Sequence, residues 1–379
     1  MNFQLTEDQK LIQSMVREFA DTEIKPIAAE ADKNHRFPVE TVKRMAELGL
    51  MGVTVPEEYE GSGGDYVSYA IVMEELARAD SSHSGVISGH LSLCIHPILA
   101  AGSEEQKRKY IPDLASGRKL GAFCLTEPGA GSDAASQETT AVLKGDHFVL
   151  NGSKVFITNG GVADTFMVLA MTDKSLGLKG ITAFIVEKSF PGFIVGQAEE
   201  KMGLNASSTH EIIFKDCIVP KENQLGETGK GFKIAMQTLD GGRIGIAGQA
   251  LGIAQGALEA SIEYAKERKQ FGKPIAANQG LQWMLADMAL AVDAARLLTY
   301  RAAAYRDAGL RMTTEAAMAK LFASETAMRV TTDAIQIHGG IGYTKKYPVE
   351  RMFRDAKVTE IYEGTSQVQR MVIAANILA

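Results

Sequence analysis

Thr139–Thr158, TTAVLKGDHFVLNGSKVFIT, differs in character from the sequence around it, and its reading decides the fold. Three short β-prone runs, Thr139–Leu143, His147–Leu150 and Lys154–Thr158, are separated by Gly145-Asp146 and Asn151-Gly152. Turn dipeptides between such runs predict hairpins. Phe166–Met171, Ile181–Val186 and Glu211–Phe214 are further expected strands. Residues 121–228 therefore read as a small antiparallel β domain.

On both sides the hydrophobic period becomes helical. In residues 1–120, Thr6 and Gln9 have capping-box spacing ahead of Leu11, Ile12, Met15, Val16 and Phe19. Pro38 opens a second helix with Val42, Met45 and Leu48, and Gly49 suits the position after its end. Asp65 is expected to cap a helix carrying Ala70, Ile71 and Leu76, and Ser103 with Gln106 repeats the capping-box spacing. In residues 229–379, Ile244–Glu267, Gln279–Ala308 and Thr314–Ile337 are long and free of proline. Long helices joined by short loops predict a bundle. The expected fold class is mostly α with a middle β domain.

A chain of 379 residues accommodates two or three such units at roughly 100–200 residues each. Its net charge is −6, and Lys and Arg are spread along it. That argues against nucleic acid, which needs a concentrated basic surface. Cys94, Cys124 and Cys217 are far apart, an odd and sparse set that fits a reducing compartment. The start, Met1-Asn2-Phe3-Gln4-Leu5, lacks a basic or apolar leader pattern. No unbroken apolar run of roughly 18–20 residues is seen, so no membrane span is expected. These features predict a cytoplasmic protein.

Common nucleotide and metal motifs are missing. Gly129-Ala130-Gly131-Ser132 is not G-x-G-x-x-G, and Gly226–Gly231 lacks the spacing of a Walker loop. The histidines form no ligand-spaced cluster, so no metal is expected. Four segments stay dense in small and polar residues: Phe123–Ser136, Val155–Gly161, Gln336–Tyr343 and Ile361–Gln369. Glycines there allow close approach of a ligand, and exposed N–H groups can bind phosphate. Each segment, taken singly, could equally be a plain turn. Glu363, in a Tyr-Glu-Gly step at a helix boundary, could be a solvated cap.

Taken together and in this order, the segments carry a resemblance. GAFCLTEPGAGS (121–132), Arg268-Lys269-Gln270-Phe271-Gly272, Gln336–Gly340, Arg354-Asp355-Ala356-Lys357 and Ile361–Gln369 resemble the acyl-CoA dehydrogenase family over essentially the whole chain. The short-chain (butyryl-CoA) branch is the nearest. The resemblance implies an N-terminal helical domain, a middle β domain and a C-terminal four-helix bundle. It implies a homotetramer, a dimer of dimers, with FAD between subunits.

The implied FAD contacts are Phe123, Leu125, Thr126, Gly131, Ser132, Phe156, Ile157 and Thr158 in the β domain. Arg268, Phe271, Gln279, Gln336, Ile337, Gly339 and Gly340 would serve the FAD of a neighbouring subunit, and Thr365, Ser366 and Gln367 would also face FAD. An Arg fork suits pyrophosphate oxygens. The substrate side is implied at Ser132, Asp240, Gly241, Gly242, Arg243, Tyr362 and Gly364. Many relatives have Trp where Phe156 stands; Phe can still pack on a flavin ring.

By the same resemblance, Glu363 is the base that removes the acyl α-proton while hydride leaves the β-carbon for FAD. Burial makes such a carboxylate a stronger base, and donors aimed at the thioester oxygen stabilise the enolate. In the family those donors are a flavin ribityl hydroxyl and the backbone N–H of the base. Some branches carry the base at the position of Gly242, and glycine cannot act as one. No Lys or Arg occurs from Ala79 through Gln106, and Ser84 stands near the place where glutaryl-type relatives have Arg. That argues against a dicarboxylate substrate and leaves butyryl-CoA, converted to crotonyl-CoA, as the favoured one. Electrons would pass to an electron-transferring flavoprotein.

Branched or medium-chain acyl-CoA dehydrogenation, and enoyl-CoA reduction in reverse within a flavoprotein complex, share the same site. An acyl-CoA oxidase would ordinarily be a much longer chain. A degenerate helical scaffold would not need the FAD segments.

Overall fold

The computed structural model describes residues 4–379. The reading of the chain start falls partly on residues 1–3, outside the described residues. The N-terminal helices are α1 (Glu7–Phe19), α2 (Lys25–Asn34), α3 (Val39–Glu47), α4 (Tyr66–Ala79), α5 (Ser81–Ile87), α6 (His96–Ala101) and α7 (Glu104–Ala115). Both expected capping boxes form. The Thr6 hydroxyl accepts from the Gln9 N–H at 3.2 Å while Gln9 Oε1 accepts from the Thr6 N–H at 3.0 Å. Ser103 and Gln106 repeat the pair at the same distances. Asp65 accepts from the Ser68 N–H at 2.6 Å, and Gly49 takes φ 73° just past α3.

α5 and α6 are joined by a π-helical segment, Ser88–Ile95, so Ser81–Ala101 forms a 21-residue run of mean hydropathy 1.3. By length and composition that run could cross a membrane, but 83% of its apolar window is buried inside the protein. It is a core helix. Interspersed serines and histidines conceal it from a search for unbroken apolar sequence.

The middle region holds β1 (Gly121–Cys124), β2 (Thr140–Lys144), β3 (His147–Thr158), β4 (Thr165–Met171), β5 (Ile181–Glu187), β6 (Phe193–Ala198), β7 (Thr209–Pro220) and β8 (Gln224–Leu225). Their order is β6-β7-β3-β2-β4-β5-β8, with β1 paired to β4. The sheet is mixed, not purely antiparallel, because β4 pairs in parallel with both β1 and β2. β4 is buried along its whole length and feeds two cores by alternation. Met167, Leu169 and Met171 join the N-terminal helical core, while Phe166, Val168 and Ala170 join the core of the β region.

Asn151-Gly152 is not a hairpin turn. β3 runs through it as one strand with a register shift against β7. Gly152 takes φ 143°, and the Asn151 side chain exchanges hydrogen bonds with Asp216 at 3.1 and 2.8 Å. The local chemistry that would favour a tight turn is spent on a bulge. A second shift, between Lys154 and Ile157, surrounds Phe156 at φ 59° and leaves its ring exposed.

The C-terminal region consists of α8 (Gly231–Glu267), the small hairpin β9 (Lys269–Gln270) and β10 (Lys273–Pro274), α9 (Gln279–Asp307), α10 (Thr313–His338), α11 (Val349–Thr359) and α12 (Ser366–Ile377). α8 begins well before Ile244 and runs for 37 residues. Its buried face carries Gly245, Gly248, Gly252 and Gly256, spaced three and four apart. These lie against α4. A Cβ at Gly248 would fall 2.9 Å from Met73 Cβ, one at Gly252 2.2 Å from the Glu74 carbonyl, and one at Gly256 2.5 Å from the Arg78 carbonyl. The N-terminal region and the bundle therefore share one backbone-to-backbone seam. Arg296 and Tyr300 of α9 bond Glu74 of α4 at 2.8 Å each and tie a third helix to it.

Gly252→Ala tests the seam. Overpacking costs about 1–3 kcal/mol, which outweighs the ~1 kcal/mol helix preference of alanine. Calorimetry should show a lower unfolding temperature with little change in helix content by circular dichroism.

Candidate active site

The turn between α11 and α12 presents Glu363 inward. Its backbone is left-handed, φ 50°, and Gly364 follows at φ 93°. Such strain in a non-glycine residue persists only where surroundings impose it. Here three bonds do so. Gln369 Nε2 donates to the Glu363 carbonyl at 3.1 Å and to that of Gly364 at 2.9 Å, and Lys320 Nζ donates to the Gly364 carbonyl at 2.7 Å. The adjacent Tyr362 hydroxyl donates to Gln249 Oε1 on α8, and Gln249 Nε2 donates to Ser81 at 2.9 Å.

The Glu363 carboxylate meets α8 where Gly242 leaves room. A Cβ at Gly242 would lie 2.0 Å from Glu363 Oε2. The two positions that resemblance marks for a base thus address the same volume, and a side chain at 242 would displace this carboxylate. Ser88 Oγ, from the π-helical segment, donates to Glu363 Oε1 at 3.2 Å. Oε2 is buried without a partner. Burial pushes the carboxyl up to about 7; the Ser88 hydrogen bond and the Lys320 and Arg243 cations oppose it less strongly. Lys320 is itself brought down to about 8, mainly by burial. A carboxylate poised near neutrality with a free oxygen is suited to take a proton from a bound ligand.

The structure gathers several expected residues around this point. Arg243 is buried, its Nη1 donating to Asp240 Oδ1 at 2.6 Å; Thr313 donates to Asp240 Oδ2 at 2.8 Å. Gly241, Gly242, Tyr362 and Gly364 lie in the same cluster. Thr365 caps α12, its Oγ1 accepting from the Val368 N–H at 3.2 Å; Ser366 Oγ is buried and unpartnered, and Gln367 is exposed.

In the β region, the Val155 N–H donates to the Thr126 carbonyl at 2.9 Å and joins the two expected FAD segments. Buried Lys154 holds the same loop through the Leu125 carbonyl, Glu127 and Gln137 at 3.1, 2.7 and 2.9 Å. Leu125 and Ile157 turn their side chains into the two cores, so they support the loops by packing. Phe123 and Thr158 are half-buried; Gly131, Ser132 and Phe156 are exposed.

Another group stays apart. Among the described residues, Arg268, Phe271, Gln279, Gln336, Ile337, Gly339 and Gly340 make no bond to the Glu363 cluster. Arg268, Phe271 and Gln279 are exposed around the β9–β10 hairpin, and Phe271 holds φ 51° with its ring almost wholly in solvent. Gln336, Gly339 and Gly340 are exposed at the end of α10, while Ile337 packs in the bundle core. Among the described residues no group of acidic, His or Cys side chains is arranged to hold a metal.

Sequence reading missed Ser88, Gln249, Lys320 and Gln369. Lys320 left a signal: it falls on the same buried stripe as Ala316, Ala319, Ala323 and Ala327. A lone lysine on an alanine stripe must find a buried acceptor.

Comparison with known proteins gives the family. The chain matches the profiles "Acyl-CoA dehydrogenase, N-terminal domain" over residues 6–118, "middle domain" over 122–217 and "C-terminal domain" over 229–378. It belongs to the acyl-CoA dehydrogenase family. A curated relative, the short-chain specific acyl-CoA dehydrogenase of Clostridium acetobutylicum, is 58% identical over 100% of both chains. The structure of butyryl-CoA dehydrogenase from Megasphaera elsdenii matches with a TM-score of 0.99 at 50% identity, again over 100% of each chain. A chain solved in work on the electron transferring flavoprotein of Acidaminococcus fermentans matches with a TM-score of 0.99 at 55% identity and full coverage of both. In this family member, as in the fold read above, helices flank a middle β region.

Ser88→Ala and Lys320→Met each remove an influence that lowers the Glu363 pKa. A base works deprotonated, so both substitutions should move the acid limb of the pH–rate profile to higher pH. Stopped-flow rates measured across pH 5–9 would show this; an unmoved limb in both variants would refute the assignment of these two groups.

Proposed function

We propose that this protein is an FAD-dependent short-chain acyl-CoA dehydrogenase in which Glu363 removes the α-proton, with butyryl-CoA to crotonyl-CoA as the favoured reaction. The observation that carries the reading is the Glu363 carboxylate, held against Gly242 with one buried oxygen unpaired. The residues present fit FAD. Ser366 Oγ is an orphaned buried hydroxyl, and Cβ atoms at Gly131, Gly339 and Gly340 would meet nothing within 4 Å, leaving backbone open to a ligand. The exposed Phe156 ring is available to pack on a heterocycle. Phe123, Leu125, Thr126, Gly131, Ser132, Phe156, Ile157, Thr158, Thr365, Ser366 and Gln367 would hold the group from one subunit. Arg268, Phe271, Gln279, Gln336, Ile337, Gly339 and Gly340 would hold it from the next.

Bound FAD supplies the acceptor for the hydride leaving the β-carbon. The chain does the rest. Asp240 and Arg243, with Ser132 and Gly364, bind and orient the acyl-CoA; the unpartnered Nε of Arg243 remains available to it. Among the described residues the Glu363 backbone N–H has no partner, which leaves it free to donate to the thioester oxygen. Glu363 Oε2 takes the α-proton. Tyr362, anchored to Gln249, closes the site against water, and a drier site strengthens both electrostatic effects.

An electron-transferring flavoprotein is the proposed electron acceptor, in keeping with the match to a chain from such work. A homotetramer is proposed because α9 exposes Trp283, Leu290 and Leu297 at seven-residue spacing, an apolar stripe of the kind that subunits cover. The three free, buried cysteines suit a reducing, cytoplasmic compartment. Units of 1–120, 121–228 and 229–379 are the proposed domains.

Anaerobic mixing with butyryl-CoA should bleach the flavin, and Glu363→Gln should retain FAD while slowing reduction by roughly 10²–10⁴-fold. Near-normal bleaching in the flavin-loaded variant would exclude Glu363 as the base. Because the carboxyl titrates at about 7 and acts deprotonated, the wild-type rate should fall as pH drops through that value.

A further inference from the structure

Tyr69 of α4 is fully buried, and its hydroxyl has no hydrogen-bond partner. Buried hydroxyls almost always pair; leaving one unpaired costs about 1–3 kcal/mol. The ring itself is firmly set. It stands edge-on to Tyr66, with centroids 6.3 Å apart and planes at 87°, and packs in the N-terminal core. Stability alone would be served as well by phenylalanine, so the oxygen calls for another account.

The position of that oxygen supplies one. A Cβ at Gly245 would fall 2.2 Å from the Tyr69 hydroxyl. One turn earlier on α8, a Cβ at Gly242 would fall 2.0 Å from Glu363 Oε2 and 3.0 Å from Leu93 Cδ2. Residues three apart share a helix face. The phenol oxygen and the base carboxylate therefore border the same glycine-lined wall, against two glycines that lie roughly 5 Å apart along the helix. The π-helical segment forms the opposite side. Ser88 Oγ donates to Glu363 Oε1 at 3.2 Å, and Ser92 Oγ donates to the Ser88 carbonyl at 2.7 Å. The Ser92 and Ser88 hydroxyls lie close enough to the Tyr69 phenol to offset part of the effect of its burial, but each is already committed as a donor elsewhere.

We infer that the Tyr69 hydroxyl is the closed end of the acyl chamber and sets the length of acyl chain that the site accepts. The inference rests on Glu363 as the base, because that fixes the α-carbon at one end of the wall. The wall between them would then take the β-carbon and terminal methyl of a four-carbon acyl group; a longer chain runs into the oxygen. Tyr69 is thus a specificity-determining residue that touches the end of the substrate. Gly245 works with it, since any side chain there would fill the chamber from the other wall.

Tyr69→Phe removes one oxygen and keeps the ring, its packing and the helix. Tyr69→Leu opens the end further. The FAD-loaded wild type and both variants would be mixed anaerobically with butyryl-, hexanoyl- and octanoyl-CoA, and kcat/KM for flavin reduction compared. The expected result is a rise of roughly 10-fold or more in the hexanoyl-to-butyryl ratio for Tyr69→Phe; hexanoyl is two methylenes longer, and one methylene alone is worth about 10–200-fold. Tyr69→Leu should extend the gain to octanoyl-CoA, and the melting temperature of Tyr69→Phe should not fall. An unchanged chain-length profile in the folded, flavin-loaded Tyr69→Phe protein would overturn the inference while leaving the dehydrogenase reading intact. If the wild type reduces its flavin with none of these thioesters, the proposed function fails and this inference with it.

Discussion

The close approach of α8 to α4 is the constraint on which the rest of the structure depends. Glycines at 248, 252 and 256 let the two helix backbones come within distances that no side chain would permit, and Gly245 admits the Tyr69 hydroxyl. Without that seam the N-terminal helices and the bundle would be separate bodies with a conventional side-chain interface. With it, α4 becomes part of the bundle core, and Ala70 and Ala77 pack among α8 and α10 residues. The same glycine-rich face continues to Gly242 and Gly241, where the gap is filled by the Glu363 carboxylate and by the guanidinium of Arg306. Packing and chemistry thus use one physical device, the absence of side chains along one helix face.

The site draws on elements far apart in the chain. Ser88 comes from the buried π-helical segment, Arg243 from α8, Lys320 from α10 and Glu363 from the turn after α11. Burial raises the carboxyl, and the two cations and the serine restrain the rise. Strain is concentrated in the same places. Phe156, Phe271 and Glu363, three residues expected to face cofactor or substrate, are among the few non-glycine residues with left-handed backbone. Each is held there by something specific, a bulge, a hairpin or a pinned turn, and each projects its side chain where a regular strand or helix would not.

Several elements were legible from local chemistry because their determinants are local. The capping boxes at Thr6 and Ser103, the Asp65 cap, the turn at Gly145-Asp146 and the long proline-free helices depend on neighbours within a few residues. Asn151-Gly152 was misread for a non-local reason. Asp216, on the partner strand, accepts and donates to Asn151 and converts a turn signal into a bulge. The parallel pairings of β4 depend on which strands come together across the fold, and no period in the sequence carries that information. The core run Ser81–Ala101 eluded the apolar count because its serines and histidines find partners inside the protein, such as Leu114 and Gly121 for His90.

By itself the sequence determined the helix–strand–helix order, the helix ends and, through motifs that resemble a family, the identity of Glu363 as the candidate base. Those follow from short-range propensity and from residue types that survive as recognisable strings. Only the tertiary structure decided why Glu363 can act. Its pKa, its unpaired oxygen and its exclusion of any side chain at 242 arise from burial and from contacts with residues distant in the chain, Ser88, Arg243 and Lys320. Only the fold, too, brought Tyr69 to the far end of the same wall, because a chamber is defined by surfaces that meet in space.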